Sequence, residues 1–179
     1  LSPGFALFLT ATMSASVSGT PTAPLINANG VISSPVFDDA EMGDVHVEIT
    51  DLTINDALTT YARINTQYQK KDISVSAGIQ LDGDTLYVSP INGDVPEGTI
   101  QGDVNLDLTT GLVHGDVRLM VNDFTPYATL LKTDIKGRGS VQLSAMDDNQ
   151  TQGLKAVVDL THIAYQDITA AAIKGQTTI

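Results

Sequence analysis

Residues 73–82 read Ile73-Ser74-Val75-Ser76-Ala77-Gly78-Ile79-Gln80-Leu81-Asp82, with an aliphatic side chain at every odd position and a polar residue or glycine at every even one. Successive side chains of an extended chain point to opposite faces, so this stretch predicts a β-strand with one oily face and one wet face. The same period of two recurs on either side. Towards the N-terminus it appears in Leu58, Ala62, Ile64 and Tyr68, in Val45, Val47 and Ile49, and in Phe5, Leu7, Leu9, Ala11, Met13, Ala15 and Val17, the last set opposed by Thr10, Thr12, Ser14, Ser16 and Ser18. Towards the C-terminus it appears in Ile100, Val104, Leu106 and Leu108, in Val117, Leu119 and Val121, in Ile135, Val141, Leu143 and Ala145, and in Leu154, Ala156, Val158 and Leu160. A last pair of strands is expected around Ile168 and Ile173.

Turn signals separate these runs: Asp82-Gly83-Asp84, Asn92-Gly93-Asp94, Pro96-Glu97-Gly98, Thr110-Gly111 and Asp147-Asp148-Asn149. Short links of this chemistry join antiparallel neighbours. Several runs reach about eleven to fourteen residues, roughly twice the usual strand length. One short helix is expected from Thr125-Pro126 to about Lys132, with Thr125 as its cap and Tyr127, Leu130 and Leu131 on one face. Residues 38–43 are expected to form a strand and turn. The expected fold is therefore all-β: long antiparallel strands in a curved, folded-over sheet with an aliphatic interior and one short helix.

Composition narrows the function classes. Of 179 residues, 42% are hydrophobic but only 5% aromatic, with no tryptophan, so whatever is covered is aliphatic. Nine basic against 21 acidic residues leave a formal charge of -12, which opposes nucleic acid and anionic headgroups. The absence of cysteine rules out disulfides and thiolate chemistry. His46, His114 and His162 lie far apart without a second ligand at metal spacing, and no nucleophile elbow, phosphate loop or zinc-helix motif occurs. The acidic turns complete no calcium loop. No catalytic residue, metal or cofactor is expected. The chain opens on Leu1 and ends at Ile179 on a running strand, which suggests a segment of a longer protein.

An offset of about 126 to 128 residues lays Val17–Val45 over Leu143–Ile173, setting Phe37-Asp38-Asp39-Ala40 against Tyr165-Gln166-Asp167-Ile168. Such self-similarity suits a repetitive β array. Gly19-Thr20-Pro21-Thr22-Ala23-Pro24, Phe124-Thr125-Pro126-Tyr127-Ala128-Thr129-Leu130-Leu131 and Ile135-Lys136-Gly137-Arg138-Gly139-Ser140-Val141-Gln142-Leu143 resemble the recurring units of the AsmA-like superfamily, most closely the TamB family. On that resemblance residues 1–18 end one unit, 19–145 form the next and 146–179 begin another; Met146–Gly153 departs from the Gly-Thr-x-x-Ala-Pro wording of the first junction.

The resemblance implies a periplasmic part of an inner-membrane-anchored protein of a bacterium with two membranes. Such proteins are curved β-grooves implicated in moving phospholipid to the outer membrane and in assembling outer-membrane proteins with a TamA-like barrel partner. The side chains expected to line the groove against acyl chains are Phe5, Leu7, Leu9, Met13, Val47, Ile64, Ile73, Val75, Ile79, Leu106, Leu119, Val141 and Leu143. The residues by themselves leave other arrangements open: the dry core of a β-sandwich, as in a cell-surface adhesin module, or a scaffold whose open sheet edges pair with outer-membrane protein clients or with another copy.

Overall fold

The computed structural model describes residues 10–33, 36–37, 40–41, 43–54, 57–128, 133–148, 151–165 and 168–178. Its strands in chain order are β1 (Thr10–Thr20), β2 (Ala23–Ser33), β3 (Val36–Phe37), β4 (Ala40–Glu41), β5 (Val45–Ile54), β6 (Leu58–Tyr68), β7 (Lys71–Asp82), β8 (Thr85–Val95), β9 (Gly98–Asp107), β10 (Val113–Val121), β11 (Ile135–Asp148), β12 (Thr151–Tyr165) and β13 (Ile168–Thr178). Eleven of them form one open antiparallel sheet in the order β1-β2-β5-β6-β7-β8-β9-β10-β11-β12-β13, while β3 and β4 form a small separate pair. Every strand of the large sheet lies beside its chain neighbour, apart from the β2 to β5 step that spans the small pair. Tight links enforce this: Pro21-Thr22, Gln69-Lys70, Gly83-Asp84 and Pro96-Glu97 each join two strands directly.

Among the described residues three bulges interrupt the ladders. The extra residue is Asp51 in β5, at φ 55°, the Ser89-Pro90 step in β8, and His162 in β12, also at φ 55°. An inserted residue would swap the faces of all that follow, yet the apolar pattern changes parity at the same places. Val45, Val47 and Ile49 give way to Leu52 and Ile54; Leu86 and Val88 to Ile91, Gly93 and Val95; Leu154 to Leu160 give way to Ile163 and Tyr165. The oily side chains therefore stay on one face while each bulge bends its strand. Asn27 Oδ1 accepts the freed Asp51 N–H at 3.0 Å. Glycine sharpens the curvature further: at Gly115, at φ 130°, an added Cβ would overlap the Asp103 carbonyl oxygen of β9, a conformation only glycine enters.

The sheet seals little away. Thr66, Tyr68, Val121 and Ile163 are buried, as is Pro96. All five lie at one end of the strands, where the connection after β10 is tied to the sheet: Tyr127 Oη donates to the Pro96 carbonyl at 2.6 Å, and Phe124 N–H donates to Gly137 O at 2.9 Å. Burial, with the Glu97 charge second, pushes the Tyr127 hydroxyl up from its ordinary value.

Several expectations need correction. Within the described residues the helix shrinks to the 3-10 turn Thr125–Tyr127, and residues 129–132 lie outside them. Thr125 is not its cap; the Asp123 carboxylate accepts both the Thr125 N–H at 2.9 Å and its hydroxyl at 2.7 Å. Asn92-Gly93-Asp94 is no turn but the interior of β8. Asp147 and Asp148 belong to β11, with Asn149 outside the described residues. The final pair of strands around Ile168 and Ile173 is the single strand β13. Phe37 pairs with Ala40 in the small sheet, and Tyr165 pairs with Ile168 in the large one, the same aromatic-to-aliphatic step at both ends of the proposed repeat.

Candidate functional site: an uncovered apolar face

Cross-strand partners share a face, so the registers can be followed from edge to edge. One row runs Met13, Gly30, Val47, Ile64, Val75, Gly93, Ile100, Leu119, Val141, Val158 and Gly175, crossing all eleven strands with nothing but aliphatic residues and glycine. One residue further along each strand, on the opposite face, the row is Ser14, Asn29, Glu48, Arg63, Ser76, Asn92, Gln101, Arg118, Gln142, Val157 and Gln176, polar at all but one place. At about 4.8 Å between strands the apolar row is roughly 48 Å long.

Six of the predicted lining residues, Met13, Val47, Ile64, Val75, Leu119 and Val141, stand in this one row. Ile73, Ile79, Leu106 and Leu143 stand on the same face in neighbouring rows, opposite Thr66, Val88, Leu86 and Val117 respectively. Phe5, Leu7 and Leu9 lie outside the described residues.

No side chain among the described residues is sealed off completely, and large aliphatic groups on this face remain open, Ile64 at 43% and Leu143 at 44% exposure. A two-layer sandwich would have hidden the middle of the face; the sheet leaves it accessible. Between β1, β2 and β5 this face holds an apolar cleft of about 170 Å³ bounded by Met13, Ala28, Gly30, Ile32, Val47 and Ile49. Its origin is Gly30, which stands between Met13 and Val47 in the row and leaves a gap where a side chain would fill the floor. Ala28, Gly30 and Ile32 escaped the sequence reading because Leu25 and Val31 place aliphatic residues on the other face of β2 and blur its alternation.

The wet face carries ordinary surface chemistry. Asp116 Oδ1 accepts from Gln142 Nε2 at 3.0 Å and from the Ser144 hydroxyl. His46, His114 and His162 sit on β5, β10 and β12, and among the described residues no three His, Cys, Asp or Glu side chains group to hold a metal. Lys71 pairs with Glu97 at 2.6 Å and Lys174 with Asp159 at 3.0 Å, both largely in solvent. No helix among the described residues is long and apolar enough to cross a membrane.

No family model, no curated protein and no solved structure matches this chain.

Proposed function

We propose that the apolar face is a non-catalytic hydrocarbon groove that takes phospholipid acyl chains, in the manner of the TamB-like periplasmic proteins that three stretches of the sequence resemble. The observation that carries this is the unbroken aliphatic row across eleven strands, left accessible along its length. A water-exposed oily surface of this extent is costly, and an acyl chain is a partner that requires no directed bond. Each buried CH₂ contributes roughly 0.8 kcal/mol, so a sixteen-carbon tail has on the order of 10 kcal/mol available. A lining of Val, Ile, Leu, Ala and glycine offers similar contacts at every step, which suits movement along the groove. An open mouth leaves the headgroup in water and avoids the cost of burying it unpaired.

In this reading the protein works in the periplasm as part of an inner-membrane-anchored chain, with a TamA-like outer-membrane barrel as partner. The test is to purify the chain from bacteria, extract it with organic solvent and identify bound lipid by mass spectrometry, with a photo-crosslinking residue at Ile79. Co-purifying phospholipid and crosslinks to it support the groove. Lipid-free protein with no lipid crosslink sinks it, and crosslinks to an outer-membrane protein strand favour a β-strand scaffold instead.

A further inference from the structure

The net charge of -12 is not spread evenly round the apolar face. Alternating strands give the sheet two rims, one at each set of strand ends. The rim that joins β7 to β8, β9 to β10 and β11 to β12 carries Asp82, Asp84, Asp107, Asp147 and Asp148. Among the described residues no Lys or Arg lies in its turns or within three residues of its strand ends. The other rim is mixed. Four of the eight Lys and Arg side chains among the described residues stand there, Lys70, Lys71, Lys136 and Arg138, all exposed, beside Asp44, Asp72, Asp94, Glu97, Asp123 and Asp134. Three of these carboxylates are already answered: Glu97 pairs with Lys71 at 2.6 Å, Asp72 accepts from Gln67 Nε2 at 2.8 Å, and both bonds from Thr125 end on Asp123 Oδ1. The nine residues of β10 set the rims about 30 Å apart. That is well beyond the ~8 Å over which charges act in physiological salt, so a headgroup at one rim responds to that rim and not to the total.

The mixed rim also holds a hollow. About 370 Å³ opens between Asn122, Asp123, Gly137, Arg138 and His162. Gly137, at φ 129°, stands opposite the His162 bulge, and a side chain there would collide with Ile163. Arg138 Nε donates to Thr161 Oγ1 at 3.4 Å, which engages one of the five guanidinium donors. The Asp123 carboxyl is held below its ordinary value first by the Thr125 hydroxyl and N–H, with burial opposing, and then by the charges of Lys71 and Lys136. Both ammonium groups are therefore within electrostatic reach of the hollow. Cations and a carboxylate stand here side by side. A phosphate alone would be repelled by Asp123, and an amine alone by Arg138; a group that carries both charges finds a partner for each.

We infer that this rim holds the headgroup of a zwitterionic phospholipid, its phosphate toward Arg138 and Lys136 and its ammonium toward Asp123, with the acyl chains laid on the apolar face. The inference rests on the hydrocarbon-groove reading and adds a direction to it: lipids lie the same way round across the strands, heads at the mixed rim and none at the acidic one.

The chain has no cysteine, so a single introduced one takes a bimane label without competition. The label is placed at Thr133→Cys on the mixed rim, at Thr109→Cys in the β9 to β10 turn of the acidic rim, or at Ile79→Cys on the apolar face. Each protein is loaded with phosphatidylcholine that carries a nitroxide quencher either on its headgroup or at the far end of an acyl chain. The headgroup nitroxide is expected to quench the Thr133→Cys label several-fold more than the Thr109→Cys label. Arg138→Gln with Lys136→Gln is expected to remove that difference, while the acyl-chain nitroxide still quenches the Ile79→Cys label. Arg63→Gln with Arg118→Gln makes the same change of charge in the middle of the wet face and is expected to leave the difference intact. Unlabelled phosphatidylglycerol, which has the phosphate without an ammonium, is expected to displace the headgroup probe less well than unlabelled phosphatidylcholine. Equal quenching at the two rims, stronger quenching at Thr109→Cys, or a difference that survives the change at Arg138 and Lys136 would each overturn the inference and leave the groove standing. An Ile79→Cys label untouched by the acyl-chain nitroxide is the separate failure of the groove itself, and the headgroup site falls with it.

Discussion

Ile79 of β7 is paired with Val88 of β8, whereas Ala77, two residues earlier, is paired with Ile91, three residues later. The extra residue at the Ser89-Pro90 step is what keeps all four side chains on the same face. That face is open, and its openness sets the size of the response to truncation. Ile79→Ala is expected to destabilise by about 1 kcal/mol, below the ~2 to 5 kcal/mol of a sealed core position. Urea denaturation with an unchanged m-value checks this, and a loss in the sealed-core range would show that the face is covered in solution.

Gly115 contrasts with Ile79. Its φ of 130° and the overlap of any Cβ with the Asp103 carbonyl leave no room for a side chain. Gly115→Ala, a change of one methyl group, is expected to cost about 2 kcal/mol or more, exceeding the loss at Ile79. The comparison of the two urea midpoints is the measurement, and equal or reversed losses would contradict a glycine-dependent bend.

The link between β6 and β7 runs through Gln69 and Lys70 at φ 51° and 64°. Two consecutive positive φ values are those of a type I′ hairpin turn, which glycine enters without strain. Lys70→Gly is expected to stabilise the chain by about 0.5 to 1 kcal/mol, relief of strain outweighing the added freedom of the unfolded chain. A melting temperature that falls would mean that Lys70 is held by something other than the turn.

The Ser144 hydroxyl first, then Gln142 Nε2, hold the Asp116 carboxyl below its ordinary value; burial opposes them less strongly, and the Lys155 charge adds the smallest lowering effect. The folded-state value therefore lies below the unfolded one. The resulting stabilisation is complete above the ordinary aspartate range and is lost as pH falls through the folded value. Ser144→Ala is expected to move the Asp116 titration upward and to reduce the acid-dependent loss of stability. Carboxylate NMR titration reads this directly; an unmoved Asp116 would assign the effect elsewhere.

The strands that were legible in the sequence are those in which one parity carries all the oil. β6 and β7 follow Leu58 to Tyr68 and Ile73 to Leu81 closely, and the ten predicted lining residues within the described chain share one face. β8 was missed because its bulge divides the pattern into Leu86 and Val88 on one parity and Ile91 and Val95 on the other, with Gly93 between them resembling a turn residue. A change of parity with no change of face is the mark such a bulge leaves, and the same mark stands at Asp51 and His162. The cleft beside Met13 was hidden for another reason: its defining residue, Gly30, contributes by having no side chain.

Each strand of the large sheet lies next to the one before it in that sheet, so the apolar row is a tape assembled transversely to the chain. Its length counts strands and its cross-section does not. Each additional hairpin would extend it by about 9.6 Å, two inter-strand spacings, without disturbing residues already in place. A molecule organised in this way reaches a required span by duplication of hairpins alone, and distance becomes a quantity that its gene can adjust in fixed increments.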